Sequence, residues 1–165
     1  MISKKIEIAL NKQINEEIFS AYLYLSMAAY FHSQNLDGFA GWMKAQAQEE
    51  MSHAMKFFGF LDEMGGRVSL LAIKEPEKNW KSAFAAFTAA YRHEQYITGC
   101  IDGLYHLAGS EKSNATQVML HWFIKEQVEE EATAAKIVSR LSQIKEGSGA
   151  LWILDKELGS RQKQA

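Results

Sequence analysis

The sequence predicts an all-α fold: a four-helix bundle with one long crossover between its second and third helices, and a short fifth helix after the fourth. Three observations carry this reading. Proline occurs once in 165 residues, at Pro76, while the strong helix formers Ala, Leu, Met, Glu, Lys and Gln are plentiful. Apolar residues recur at steps of three and four through four long segments. Between the second and third of these, over about residues 66–81, the period vanishes. One domain should therefore cover 1–165, with the bundle over about 3–144, the fifth helix over about 149–158 and a polar tail at 159–165.

The first segment, about 3–32, carries Ile6, Leu10, Ile14, Ala21, Tyr24, Ala28 and Phe31 on one stripe, with Glu17 inside it. Asn35-Leu36-Asp37-Gly38 breaks the pattern, and Asp37 is positioned to cap the next helix. That helix, about 38–64, runs through Phe39, Trp42, Gln46, Glu50, His53, Phe57 and Leu61, and Gly65-Gly66 stops it. Stretched out, the aperiodic link reaches roughly 50 Å at about 3.3 Å per residue, whereas a helix of about 27 residues is roughly 40 Å long. The link can therefore travel the whole bundle and leave helices two and three parallel. Its apolar patch, Val68 to Ile73, is poorly suited to water and should lie against another subunit. The third helix, about 81–107, shows Phe84, Phe87, Tyr91, Glu94, Ile97, Ile101 and Tyr105 on one face, with Ala108-Gly109-Ser110 closing it. The fourth, about 114–144, shows Leu120, Phe123, Gln127, Glu130, Ala134, Ile137 and Leu141. After the Gly147-Ser148-Gly149 hinge, the apolar fifth helix is too short to stand alone and must dock, on its own bundle or on a neighbour.

Composition excludes several classes. A formal charge of −2 with scattered basic residues gives no electrostatic case for nucleic acid. Cys100 is the only cysteine, so neither an internal disulfide nor a CxxC knuckle can form, which fits a reducing cytosol. No apolar run approaches the roughly 20 residues of a membrane span, and Glu7, Asn11 and Lys12 interrupt any signal-peptide core. A soluble, cytoplasmic protein is expected.

The chemistry lies in the acids. Glu50-x-x-His53 stacks a carboxylate and an imidazole on one helix face. A shift of 77 positions carries Glu17 to Glu94, Glu49 to Glu126, Glu50 to Gln127 and His53 to Glu130. One such pair alone would read as a solvated face; the repeated register does not. Glu17, Glu50, Glu94 and Glu130 each replace a core residue, and an unpaired buried carboxylate is costly enough to be neutralised instead. No Lys or Arg shares the four stripes. Two divalent cations would balance the four acids, and hard oxygen ligands with one imidazole suit iron or manganese better than copper(I) or structural zinc.

These residues resemble the ferroxidase centre of the non-haem bacterial ferritins, over essentially the whole chain. The resemblance implies a ferritin-like four-helix bundle in a homo-oligomeric shell of 24 subunits, which oxidises Fe(II) with dioxygen or peroxide and stores ferric mineral. It also implies that Glu17, Glu50 and His53 hold one iron, and that Glu50, Glu94 and Glu130 hold the second. Glu50 would bridge, Gln127 would hydrogen-bond into the site, and Tyr24 would supply an electron. Glu49, Glu126 and Glu129, with Glu130 shared, would form a third iron site toward the cavity.

Relatives that differ are informative. Bacterioferritins have Glu-x-x-His in both halves, whereas the second half here is Gln127-x-x-Glu130. Met51 falls where their haem ligand sits, but haem is not expected. One cysteine cannot build the iron knuckle of a rubrerythrin. The DNA-coating mini-ferritins place their ligands across a subunit interface and lack the fifth helix. His32, His93, His106 and His121 show no metal spacing, and Trp122 reads as packing. The alternatives are a haem-binding or electron-transfer bundle, a di-iron oxidase or peroxidase that stores nothing, and a purely structural bundle.

Overall fold

The computed structural model describes residues 2–160, and every regular element among them is helical. The helices are α1 (Lys4–Ser33), α2 (Asp37–Glu63), α3 (Ala83–Ser110), α4 (Asn114–Ser142) and α5 (Gly149–Gly159). Residues 161–165 of the expected polar tail lie outside the described residues.

Local chemistry sets the boundaries. Ser3 caps α1 by accepting from the Ile6 amide at 3.3 Å, and Ser82 caps α3 by accepting from Ala85 at 3.0 Å. Asn35 (φ 58°), Gly65 (φ 71°) and Lys112 (φ 55°) turn the chain left-handed at the ends of α1, α2 and α3. Each lets the next amide reach back to an orphan carbonyl: Leu36 to Phe31, Gly66 to Leu61 and Ser113 to Ala108, at 2.8–3.0 Å. Because Lys112 makes that turn, α3 continues through Ala108-Gly109-Ser110, where the sequence placed its close.

The cap of α2 differs from expectation. Asp37 is the first helical residue, and its carboxylate pairs with His32 at 2.8 Å. The capping acid is Asp155, which comes from α5. Its two oxygens accept from the Gly38 and Phe39 amides at 3.2 and 2.7 Å, placing a carboxylate at the positive end of α2. Only a glycine permits this approach, since a Cβ on Gly38 would sit 1.8 Å from the Asp155 carbonyl oxygen. The fifth helix thus docks on its own bundle, burying Leu151 and Leu154 while Trp152 and Ile153 stay exposed.

Two apolar clusters fill the bundle. One gathers Phe31, Phe39, Trp42 and Phe87 with the small residues Ala83, Ala86 and Ala90 of α3. The other gathers Ile6, Leu10, Phe57, Leu61, Ile97, Ile101, Leu120 and Phe123, with Phe57 stacked on Phe123 at 4.0 Å. At the first cluster the aromatic rings of α1 and α2 fill the space facing α3, so alanines point inward and Phe84 is exposed, contrary to the sequence reading.

The crossover, 64–82, is tied along α1. Asn11 bonds the Arg67 carbonyl and the Ser69 amide at 2.9 and 2.6 Å; Asn15 reaches the Ala72 carbonyl, and Ser26 the Glu77 carbonyl. Trp80 then packs on Tyr30. The link thus starts beside Asn11 and finishes beside Tyr30, so α3 starts at the end of the bundle where α2 starts, and the two run parallel.

Candidate metal centre

Between the two apolar clusters, all four long helices turn polar at one level. Helical register does this: Glu17, Glu50, Glu94 and Glu130 continue the stripes that bury Ile14, Phe57, Ile97 and Phe123. All four acids are at least nine-tenths buried, as are His53 and Gln127. Tyr24 is 1 % exposed, and its hydroxyl donates to Glu94.

Ligand atoms of Glu17, Glu50 and His53 lie within 4.8 Å of one another, the one such triad among the described residues. His53 Nδ1 stands 3.2 Å from a Glu50 oxygen. The other Glu50 oxygen, Oε1, and Glu17 Oε2 are buried without a hydrogen-bond partner. Two orphaned carboxylate oxygens beside an imidazole are a donor set that a divalent cation satisfies, and no Lys or Arg among the described residues forms an ion pair with either acid.

Glu94 and Glu130 complete the group, and their charges both act on Glu50. The Glu94 carboxylate accepts from Gln127 Nε2 at 3.2 Å as well as from Tyr24. Burial pushes the Glu17 carboxyl up to about 8, reinforced by Glu50. Burial and then Glu94 raise Glu130 to about 7. Glu50 is driven well above the ordinary range, and Glu94 also rises, both chiefly through burial. Tyr24 is held firmly protonated by burial and by the Glu94 charge. Each of the four carboxyls therefore keeps its proton to a higher pH than a solvent-exposed acid does.

Three polar neighbours had no part in the site as the sequence read it, although Gln46 was placed on the stripe of the second helix. Gln13 donates to Glu17 at 2.8 Å, Gln46 to Glu130 at 2.9 Å, and Thr98 stands 3.4 Å from the Gln127 amide nitrogen. Of the three acids assigned to a further iron site, Glu49 and Glu126 are half-buried and Glu129 is exposed. The Glu49 charge reaches both Glu50 and Glu130. Trp122 packs edge-on against His53 at 5.4 Å, with the Lys56 ammonium 4.3 Å from its ring centre. His32 and His121 bond Asp37 and Tyr105, while burial pushes His93 down to about 4 beside Ser20.

The match to known proteins follows this geometry. Residues 7–144 match the ferritin-like domain family. A bacterial non-heme ferritin of Bacteroides fragilis (strain 638R) is 39% identical over 161 residues, covering 98% of this chain and 100% of the relative. One from Campylobacter jejuni is 39% identical over 155 residues, covering 94% of this chain and 93% of the relative. The crystal structure of an open pore ferritin from the hyperthermophilic archaeon Archaeoglobus fulgidus aligns at a TM-score of 0.97 and 54% identity, covering 98% of this chain and 100% of that one. A closed form of that ferritin, engineered by site-directed mutagenesis, aligns at 0.98 and 53%, covering 99% and 100%. With five helices in this order and a buried acid–imidazole triad at mid-bundle, the chain belongs to the ferritin-like domain family.

Proposed function

We propose that this chain is an iron-storage ferroxidase: it binds Fe(II) in pairs, passes their electrons to dioxygen or peroxide, and releases Fe(III) to a mineral inside a hollow shell of identical subunits. The observation that carries this reading is the pair of partnerless buried oxygens on Glu17 and Glu50 beside His53. Glu17, Glu50 and His53 hold the first ferrous ion, and Glu50, Glu94 and Glu130 the second. Glu50 serves both sets, a role supported by its contact with His53 and by the action of the Glu94 and Glu130 charges on it. Gln13, Gln46 and Gln127 fix the rotamers of Glu17, Glu130 and Glu94 by hydrogen bonds, so ligand geometry exists before the metal arrives. Tyr24 keeps its proton, donates its hydroxyl hydrogen bond to Glu94 and stands as an electron source next to the second ion. Glu49, Glu126 and Glu129, sharing Glu130, receive a third iron on its way to the mineral.

The relatives are named bacterial non-heme ferritins, and the solved neighbours are ferritins of A. fulgidus, which supports iron as substrate and self-association as the working state. The shell has 24 subunits and no haem, 1–165 is one domain, and the protein works in the cytoplasm. No helix among the described residues is long and apolar enough to cross a membrane. Anaerobic Fe(II) titration followed by oxygen, with irons counted per chain, tests the function. The expected result is saturation at two to three irons and a rise in ferric absorbance. Binding of less than one iron per chain would overturn it, and a particle of only a few subunits without mineral would favour a non-storage oxidase.

A further inference from the structure

A cleft of about 390 Å³ opens between α3 and α4, lined by Thr98, Asp102, Gln127 and Glu131 with Ile124 and Val128 at its sides. Its lining meets the centre at one residue, Gln127. Gln127, 4 % exposed, lines the cleft and also bonds the Glu94 carboxylate through its amide nitrogen. Its side-chain oxygen accepts from no donor among the described residues. At the mouth, neither Asp102 nor Glu131 meets a Lys or Arg within ion-pair distance among the described residues, and Thr98 donates to Glu131. A second cleft, of about 140 Å³ between α1 and α3, approaches the opposite side through Gln13, but Lys12 stands in its lining. Of the two approaches, only the α3–α4 cleft has acids alone among its charged lining residues and an unclaimed oxygen at depth.

We infer that the α3–α4 cleft is an entry passage for divalent cations, with Asp102 and Glu131 collecting the ion at its mouth and the Gln127 side-chain oxygen handing it to Glu94. This deepens the ferroxidase reading and rests on it. Charged mouths of this kind raise association rates by focusing the field, and added salt screens the effect.

Co(II), which binds without being oxidised and reports through visible absorbance, is the probe, and stopped-flow mixing with the metal-free assembled protein is the measurement. In D102N/E131Q, whose introduced side-chain amide keeps an acceptor for Thr98, Co(II) uptake should slow about five- to tenfold at low salt. Most of its salt dependence should go, and the final Co(II) count per chain should stay the same. Glu16→Gln, in the α1–α3 cleft, should leave the rate unchanged. Equal rates in D102N/E131Q and wild type would overturn the passage, and so would a lower final count, which would make these acids a holding site. If the double variant fails to assemble, Asp102→Asn alone, on an exposed side chain, should slow uptake at least about twofold, and an unchanged rate would overturn the passage. Wild-type protein that takes up no Co(II) would instead defeat the metal centre itself, a distinguishable failure.

Discussion

At Glu50 two forces act in the same direction: burial disfavours its charge, and so do the carboxylates of Glu94 and Glu130. Losing a proposed metal ligand of this kind should exceed the roughly 10- to 100-fold effect of outer hydrogen-bonding partners. Glu50→Ala and His53→Ala should therefore lower initial Fe(II) oxidation by more than about 100-fold, and Gln46→Ala by about 10-fold, in stopped-flow absorbance. Protonation gives a second test. Glu17 sits at about 8 in the fold against an ordinary 4.5, so between those values the folded state binds more protons than the unfolded chain. Stability from this group is complete below 4.5 and lost as the pH rises through about 8. Metal-free protein should thus melt at lower temperature at the alkaline end of this window, Glu17→Gln should reduce that loss, and divalent metal should oppose it while releasing protons that a pH indicator can read. The glutamates were legible because a charge on an apolar stripe contradicts its surroundings. Gln13, Gln46 and Thr98 were not, because a neutral polar residue on a stripe is ordinary until its partner on another helix is seen.

For the elements, the sequence located helices better than their ends. Gly65-Gly66 announces its turn, whereas Lys112 does so with a side chain that rarely accepts positive φ. Asp37 stood in a capping position, but Asp155 takes the role from 117 residues away, a contact no local pattern encodes. Asp155→Ala leaves one buried and one part-buried α2 amide without its acceptor and should cost about 1–3 kcal/mol, seen as a lower melting temperature with unchanged helical circular dichroism at room temperature. In the crossover, Asn11→Ala removes the bonds to Arg67 and Ser69. Amide exchange across 66–72 should accelerate more than exchange within α1, and equal acceleration in both would show that Asn11 does not tie the link.

Over the whole molecule, the single-chain fold was readable because four amphipathic stripes admit few arrangements, and the crossover's apolar patch was the one outward face the sequence marked for another subunit. Leu70 and Leu71 of the crossover are 69% and 52% exposed, close in sequence to an apolar hollow lined by Ile18, Tyr22, Leu25, Met51 and Ile73. A patch of this kind marks an association surface. The double substitution Leu70→Glu with Leu71→Glu should leave the helical spectrum intact and shift the protein to a small species in light scattering; an unaltered large particle would place the subunit contact elsewhere. The Asp155 clasp carries one more consequence, for biosynthesis. The acid that completes α2 is translated 118 positions after Asp37, where that helix begins, so on the ribosome the helix bearing Glu50 and His53 emerges unfinished and waits for almost the entire polypeptide. Premature termination just before that residue would leave every proposed iron ligand encoded, yet deprive their scaffold of its final fastening.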